Sequence, residues 1–294
     1  MLLEAIKLVR PKQWIKNGFV LAPLVFSKEL FEPEPLVVAL KSCYAFCLTA
    51  SCVYIINDMS DVRADRAHPD KKKRPLAAGT LTFAHAYAIL GILFAVAVTV
   101  AYDLNPRFQL VLATYFVLNI AYSVKLKEIV LLDVFIIAAG FMMRVLGGAF
   151  AIEVQVSSWI VLCTLFVSLF LGFAKRRGEL LLAPQVRPGT ERKVLESYGT
   201  TFIDQMLTIA AAGAVISYAL YTVAPRTVEV FGTDKMIYTT VFVLYGMFRY
   251  LFLIHMTDST ENPTNVVTSD RPIVVVIILW IGTCIGLIYF ANKV

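Results

Sequence analysis

Charged residues are scarce in this sequence. Only 16% of its 294 residues are Asp, Glu, Lys or Arg, whereas an ordinary soluble domain contains about 25%. Hydrophobic residues make up 59% of the chain, and the mean hydropathy is +0.73. This composition excludes a soluble globular protein and a disordered chain. The apolar runs are long and unbroken, which argues against a transmembrane β-barrel with short alternating strands.

Histidine and cysteine are also rare, with three and five residues respectively. All five cysteines lie in apolar runs, and no two of them form a CxxC pair. A zinc site and a disulfide framework are therefore not expected. The basic segments lack interleaved aromatic residues, so we expect no nucleic acid as a partner. No Gly/Ser-rich linker divides the chain, and we expect a single polytopic domain spanning residues 1–294.

The long apolar runs predict an all-α membrane bundle of about nine transmembrane helices, each of about 20 residues. The first is the weakest because Lys16 and Pro23 interrupt it. The predicted spans are 14–31, 36–57, 82–101, 107–122, 130–151, 156–173, 203–224, 235–255 and 272–292. Ahead of them, residues 2–9 place four apolar side chains on one helical face, which predicts a short interfacial helix rather than a cleavable signal.

The positions of the positive charges predict an orientation. Nineteen of the 27 Lys and Arg residues fall in the N-terminal segment and in alternate loops, against six on the opposite side. By the positive-inside rule these loops are cytoplasmic, and the C-terminus lies outside a bacterial plasma membrane crossed many times. The four basic loops are 58–81, 123–129, 174–202 and 256–271.

Acidic residues cluster at the predicted cytoplasmic end of the second span. Asp58, Asp61 and Asp65 are spaced three and four residues apart, which places three carboxylates on one helical face, next to Asn57. Carboxylates this close to each other and to a membrane repel and are costly. A divalent cation removes the conflict, and oxygen ligands suit Mg²⁺ that also binds substrate phosphates. The motif therefore predicts a Mg²⁺-diphosphate site, with Asp58 and Asp61 catalytic.

Basic residues near this motif are candidates for binding phosphate. Lys and Arg side chains on the same membrane face also have a simpler interpretation as topology and lipid-headgroup signals, above all residues 71–73. Fixing an Arg next to a Pro aims its guanidinium inward, and four Arg-Pro pairs occur, at 10–11, 74–75, 187–188 and 271–272. Proline suits the first turn of a helix. The candidates of this kind are Lys16, Arg63, Arg74, Lys125, Lys127 and Arg271.

Two further groups of residues suggest a site. Asp133 and Arg144 lie within one apolar run, where ionisable side chains are usually functional or paired, and Tyr122 precedes them. The segment KRRGEL follows the sixth predicted span, and its cations suit phosphates as well as a helix C-terminus. The residues singled out there are Lys175, Arg176, Arg177 and Glu179.

These features together resemble the UbiA superfamily of intramembrane prenyltransferases. The superfamily carries NDxxDxxxD on its second helix followed by a basic stretch and RPL, and here the residues read NDMSDVRAD and KKKRPLAAGTL. The usual second acidic motif, DxxxD after the sixth helix, is missing, and KRRGEL stands in its place. RPKQWIKN, YSVKLKEIVLLDV and LGFAKRRGEL are similar to a phosphoribosyl-transferring branch of the superfamily.

The resemblance implies a Mg²⁺-dependent transfer of 5-phosphoribose from 5-phosphoribosyl 1-diphosphate (PRPP) to a polyprenyl phosphate such as decaprenyl phosphate, for the arabinan of a cell wall. The diphosphate and 5-phosphate of PRPP and the phosphate of the lipid together need more positive charge than a prenyl diphosphate does. The replacement of the acidic DxxxD motif by the basic KRRGEL supplies such charge. Two alternatives stay open, an aromatic prenyltransferase that uses a polyprenyl diphosphate and a membrane transporter. The sequence also leaves a homo-oligomer open.

Overall fold

In the computed structural model, residues 2–67, 71–182, 197–256, 267 and 269–290 are described. These residues form helices and connecting turns, with no β-strand among them. Eight helices are long and apolar enough to cross a membrane. They are α3 (Pro33–Ser60), α5 (Phe83–Tyr102), α6 (Pro106–Val124), α7 (Leu132–Ala151), α8 (Ser158–Leu182), α9 (Thr200–Val223), α11 (Thr240–Met256, preceded by a 3₁₀ turn, Lys235–Thr239) and α12 (Arg271–Tyr289). The all-α membrane fold predicted from the sequence is confirmed.

The first predicted span has a different form. Instead of one helix over 14–31, the chain forms a 3₁₀ helix, Pro11–Leu21, followed by the short α2, Ala22–Phe26. A 3₁₀ helix rises about 2.0 Å per residue against 1.5 Å for an α-helix, so this shorter stretch covers nearly the length of a full span. The segment predicted to be interfacial forms α1, Leu2–Val9, whose Leu2 and Leu3 are exposed while Leu8 is fully buried.

Polar residues and prolines set several helix boundaries. Thr82 and His85 form a reciprocal capping box at the start of α5, and Asn105 accepts from the Arg107 amide at the start of α6. Asp270 accepts from the Ile273 amide at 3.0 Å and caps α12, which contains Pro272 in its first turn. Pro272 thus takes the first-turn position expected of proline, whereas Arg74-Pro75 is followed by a turn that Gly79 completes at φ +75°.

The described residues pack into two compact units. The first contains the residues up to Leu24 and Phe31–Gln155, and the second contains Val25–Leu30 and the described residues from Val156 onward. The expectation of a single domain stays a prediction.

In the first unit, α3 is the most enclosed helix. In its most apolar window 61% of the positions are buried, against 11% for α5. Phe46 contacts Phe108 and Tyr115 edge to face, with ring centroids 5.7 and 5.4 Å apart. The 3₁₀ helix packs against α7 so closely that a Cβ on Gly148 would lie 2.0 Å from the Val20 carbonyl oxygen. The close approach of the 3₁₀ helix to α7 therefore requires glycine at position 148.

The second unit has its own apolar core and polar interior contacts. The short helix α10, Pro225–Phe231, follows α9. Tyr221, Phe231, Met236, Cys284 and Ile288 form a buried cluster. Nearby, the Tyr218 hydroxyl accepts a hydrogen bond from the Trp280 indole at 2.8 Å and lies 2.6 Å from the Thr239 hydroxyl. These bonds satisfy polar groups that are costly to bury alone.

Candidate active site

The acidic motif lies where α3 passes into the short helix α4, Val62–Ala67. Asp58 is in the last turns of α3, Asp61 lies at the bend and Asp65 is in α4. The bend interrupts the single helix that the spacing predicts. The helical hydrogen bonds nevertheless continue through it, from the Asp61 amide to the Asn57 carbonyl at 2.9 Å and from the Asp65 amide to the Asp61 carbonyl at 2.8 Å. The three carboxylates therefore remain together at one end of the first unit.

Asp58 is the most enclosed of the three acids, with 1% of its surface exposed. Its Oδ1 accepts hydrogen bonds from the Arg10 guanidinium and from Arg74 Nη1, the latter at 3.1 Å. Its Oδ2 is buried and has no hydrogen-bond partner among the described residues. A buried, unpaired carboxylate oxygen is costly, and it marks a place where a further ligand is missing.

The other two carboxylates are also held by cations. Arg74 Nη1 donates to Asp65 Oδ2 at 2.7 Å as well as to Asp58, so one guanidinium bridges two acids. Lys127 Nζ donates to Asp61 Oδ1 at 2.6 Å, and the Asn57 side chain donates to Asp61 Oδ2 at 3.1 Å. Three acids within eight residues are thus paired with three cations, in one set around Asp58 and Asp65 and a second at Asp61. We name these residues together the acid–base cluster (Arg10, Asp58, Asp61, Asp65, Arg74 and Lys127).

The cluster is suited to Mg²⁺ that arrives with phosphate. No group of three or more His, Cys, Asp and Glu side chains in the described ranges is arranged to hold a metal ion by itself. Mg²⁺ is usually bound through one or two carboxylates, with its other ligands from water and substrate phosphates. The free Oδ2 of Asp58 offers one such oxygen. The donor set therefore fits the ion, and Arg74 and Lys127 are cations of the kind that bind phosphate.

Arg10 belongs to this cluster although the sequence analysis noted it only as part of an Arg-Pro pair. Its backbone is left-handed, with φ 57° and ψ 55°, a conformation that costs a non-glycine residue about 1–3 kcal/mol. The signal that could have singled out Arg10 was its position directly before Pro11, in a segment that packs against the acidic motif. No feature of the sequence indicates the left-handed backbone.

Arg144 lies in a separate buried site of the first unit. Its guanidinium donates to the Asn17 side chain at 2.7 Å, the Gly140 carbonyl at 2.8 Å and the Tyr115 hydroxyl at 2.9 Å, and only 5% of the residue is exposed. It also lies 4.7 Å from the centroid of the Tyr115 ring. These partners are uncharged, so Arg144 joins the 3₁₀ helix, α6 and α7 through hydrogen bonds rather than an ion pair.

The remaining candidates of the first unit are dispersed. Asp133 is fully buried near the start of α7, where the sequence predicted it. Lys16 is half-buried in the 3₁₀ helix, and Tyr122 is half-buried near the end of α6. Arg63 and Lys125 are exposed. The roles of these residues stay predictions.

In the second unit, KRRGEL lies within α8 rather than in the loop predicted to begin at 174, because α8 continues to Leu182. Arg176 is fully buried and pairs with Glu179 one turn later, and the Lys175 ammonium lies 3.9 Å from the same carboxylate. Arg177 donates to Asp204 at 2.7 Å and to the Ile254 carbonyl at 2.5 Å. Arg177 thus joins α8 to α9 and α11.

The last predicted loop lies mostly outside the described residues, as do residues 183–196 of the loop before it. Arg271 is exposed at the start of α12. Its neighbour Asp270 accepts from Arg249 Nη2 at 2.9 Å, and this guanidinium holds the pKa of Asp270 below its ordinary value. The arrangement fixes the start of α12 to α11.

Comparisons with known proteins are consistent with this geometry. Residues 19–269 match the UbiA prenyltransferase family. The chain is 36% identical to decaprenyl-phosphate phosphoribosyltransferase of Mycolicibacterium smegmatis, over 97% of this chain and 92% of that protein. It is 33% identical to the Corynebacterium glutamicum protein of the same name, over 97% and 86%. Its fold is similar to that of a UbiA homologue from Archaeoglobus fulgidus bound to GPP and Mg²⁺, with a TM-score of 0.73 and 18% identity over 97% of this chain and 99% of that one.

Proposed function

Because the chain belongs to the UbiA prenyltransferase family, we propose that it transfers 5-phosphoribose from PRPP to decaprenyl phosphate or a similar polyprenyl phosphate, releasing pyrophosphate. The relatives in M. smegmatis and C. glutamicum that are 33–36% identical over nearly the whole chain carry the name of this activity. The observation that carries the proposal is the acid–base cluster, in which acids able to hold a metal are matched by cations able to hold phosphate.

The acids of the cluster hold Mg²⁺ against the donor's diphosphate in this proposal. Asp58 supplies its free Oδ2 and Asp61 a second carboxylate, with Asn57 and Asp65 supporting them. When bound by these residues, Mg²⁺ would supply Lewis-acid stabilisation of the diphosphate leaving group. The Mg²⁺ that accompanies GPP in the A. fulgidus homologue supports the use of a divalent ion in this fold.

The basic side chains bind the phosphates. Arg74 and Lys127 release the carboxylates and contact the diphosphate, because a guanidinium fork and an ammonium both pair well with phosphate oxygens. The acceptor's phosphate oxygen is already ionised at neutral pH, so its attack on the ribose C1 needs no general base. In the second unit we assign a phosphate contact to Lys175, whose side chain is 40% exposed. Arg176 and Arg177, also predicted to bind phosphate, pair with Glu179 and Asp204, and we expect them to support the fold.

We place the reaction at the cytoplasmic face of the bacterial plasma membrane, with the C-terminus outside. The excess of Lys and Arg in the N-terminal segment and alternate loops supports this orientation. PRPP is water-soluble and the acceptor is a membrane lipid, so an active site at the membrane surface meets both. Accessibility labelling of single cysteines placed in the loops checks the orientation.

Transfer of labelled phosphoribose to decaprenyl phosphate by the purified protein tests the function. We expect product only with Mg²⁺ present, and none with EDTA. Asp58→Asn and Asp61→Asn should lower the rate at least about 100-fold, because each removes a charge that holds the metal, while insertion into membranes is unchanged. Near wild-type turnover by Asp58→Asn would show that this carboxylate holds no metal.

One alternative keeps the family and changes the donor to a polyprenyl diphosphate that alkylates an aromatic acceptor. The GPP bound to the A. fulgidus homologue favours it. The replacement of DxxxD by KRRGEL counts against it, because a second acidic cluster would hold a second ion on such a donor. Parallel assays with labelled PRPP and labelled prenyl diphosphate separate the two donors.

A further inference from the structure

Arg10 occupies a costly position in the acid–base cluster. Its left-handed backbone is fixed from both sides, by a bond from its amide to the Ile6 carbonyl at 3.1 Å and one from the Gln13 amide to its own carbonyl at 2.9 Å. Proline at the next position further restricts the conformations open to a residue. A strained conformation that its surroundings over-determine is typical of functional sites.

The neighbouring chain anchors this geometry to α3. Leu8, two residues earlier, is fully buried against Ile55 and Leu76. The Ser51 hydroxyl donates to the Val9 carbonyl at 2.9 Å. The end of α1 is therefore tied to the helix that carries the acidic motif, and the place of the Arg10 side chain follows from those contacts.

The Arg10 side chain is held in place, but Asp58 occupies only part of its hydrogen-bonding capacity. Its guanidinium lies 5.3 Å from the centroid of the Tyr54 ring, one helical turn before Asp58, and contacts Asp58 Oδ1 through Nη2 alone. About a fifth of the side chain is exposed, against 2% of that of Asp58. Arginine–carboxylate pairs are commonly bidentate. Here, however, both arginines contact Oδ1 of Asp58, and its Oδ2 has no partner among the described residues.

A metal ion would compete with Arg10 and Arg74 for the carboxylate of Asp58. A divalent ion on Asp58 would lie next to the positive charges of Arg10 and Arg74, so binding of the bare ion is opposed by like-charge repulsion. A diphosphate that arrives with the ion removes this conflict because it offers the guanidinium groups new acceptors. Metal and diphosphate should therefore each strengthen the binding of the other, as reciprocal coupling requires.

We propose that Arg10 is a donor-binding residue that pairs with Asp58 in the absence of metal and moves to the diphosphate of PRPP when metal takes the carboxylate. This assignment rests on the proposed function, because it requires a metal–diphosphate at Asp58. It makes Arg10 both the competitor of the bare ion and a ligand of the donor. Tyr54 keeps the guanidinium near the motif in both states.

Binding of Mn²⁺, followed by its paramagnetic resonance on the full-length protein in lipid nanodiscs, tests the proposal without any turnover. We expect PRPP to strengthen Mn²⁺ binding to the wild type. Arg10→Gln should bind bare Mn²⁺ about threefold or more tightly, since a competing charge is gone, and bind PRPP with Mn²⁺ about tenfold more weakly. Arg66→Gln is the matched control, because Arg66 contacts the Ala77 carbonyl at 3.2 Å and no acid of the cluster; both affinities should match the wild type.

The outcomes separate the two claims. If PRPP does not strengthen Mn²⁺ binding to the wild type, the proposed function itself fails. If it does, but Arg10→Gln changes neither affinity or weakens both, Arg10 is not a donor ligand and the function stands. Should Arg10→Gln not purify as a folded protein, Arg10→Lys decides: we expect bare Mn²⁺ affinity as in the wild type and PRPP affinity about threefold lower, from the lost fork. Unchanged PRPP affinity in Arg10→Lys overturns the assignment.

Discussion

The two units of this protein use their charged residues in different ways. In the first unit, Arg10, Arg74 and Lys127 come from three separate segments and all contact the acids between residues 58 and 65. In the second unit each ion pair lies within one helix or joins two neighbouring helices. Arg176 pairs within its own helix, Arg177 joins α8 to α9, and Arg249 joins α11 to the start of α12.

This difference indicates what each set of charges is for. Convergence of cations on a few buried acids is costly unless a ligand completes it, so it indicates a site. Pairs that each connect neighbouring helix turns or helices satisfy themselves, and they indicate support of the fold. Substitutions of similar chemistry in the two units should therefore have opposite consequences.

The largest contrast is expected between Arg74→Gln and Arg177→Gln. Arg74→Gln should lower kcat/KM for PRPP about 100-fold, equivalent to about 2.7 kcal/mol of transition-state stabilisation. Arg177→Gln should keep most of the activity and lower Tm in detergent, because it loses its bonds to Asp204 and the Ile254 carbonyl. Steady-state kinetics and a thermal melt on each variant measure both effects. Equal losses of activity in the two variants would remove the distinction between the units.

A smaller contrast concerns close packing. Gly148→Ala in the first unit should destabilise the fold by about 2 kcal/mol or more, because its Cβ would meet the backbone carbonyl of Val20 at 2.0 Å. Gly213→Ala in the second unit meets the Phe166 ring at 2.6 Å, and a side chain can move where a backbone cannot. Thermal unfolding of the two should rank them in that order. Gly282→Ala, with no atom within 4 Å, is the control and should be neutral.

The smallest effect is a pH dependence in the second unit. The Arg249 guanidinium lowers the pKa of Asp270, so the folded state favours the ionised carboxylate. The stabilisation is present above the unfolded pKa of about 3.9 and is lost as the pH falls through the lower folded value. We expect Tm measured from pH 7 to pH 3 to fall at the acid end, and to fall less in Asp270→Asn. If Tm falls equally at low pH in both proteins, the loss of stability is caused by other titratable groups.

Much of the fold could be read from the sequence, because an apolar run of about 20 residues has few structural solutions in a membrane. Eight of the predicted spans correspond to long helices. The first did not take the predicted α-helical form, since the pattern of apolar residues does not distinguish a 3₁₀ helix of 11 residues from an α-helix. The predicted span 156–173 ends nine residues before α8 does, because charged residues such as Lys175 are typical of the end of a membrane span.

The candidate site was only partly predictable. The spacing of Asp58, Asp61 and Asp65 is a local signal and was readable. Their contacts with Arg10 and Lys127 cross 48 and 66 residues, and they depend on packing that no local pattern encodes. The partners of Arg144 were hidden for the same reason, since Asn17 and Tyr115 lie far away along the chain.

The unequal enclosure of α3 and α5 has a consequence for how this protein can change. The small side chains of α3, among them Ala45, Ala50 and Ser51, are almost fully covered, so larger replacements there would collide with neighbouring helices. Most of α5 faces outward, where one aliphatic side chain is nearly as good as another. Sequence drift should thus accumulate on α5, while the helix that ends in the aspartates tolerates little, and variants that adapt to a different lipid environment can arise without disturbing the chemistry.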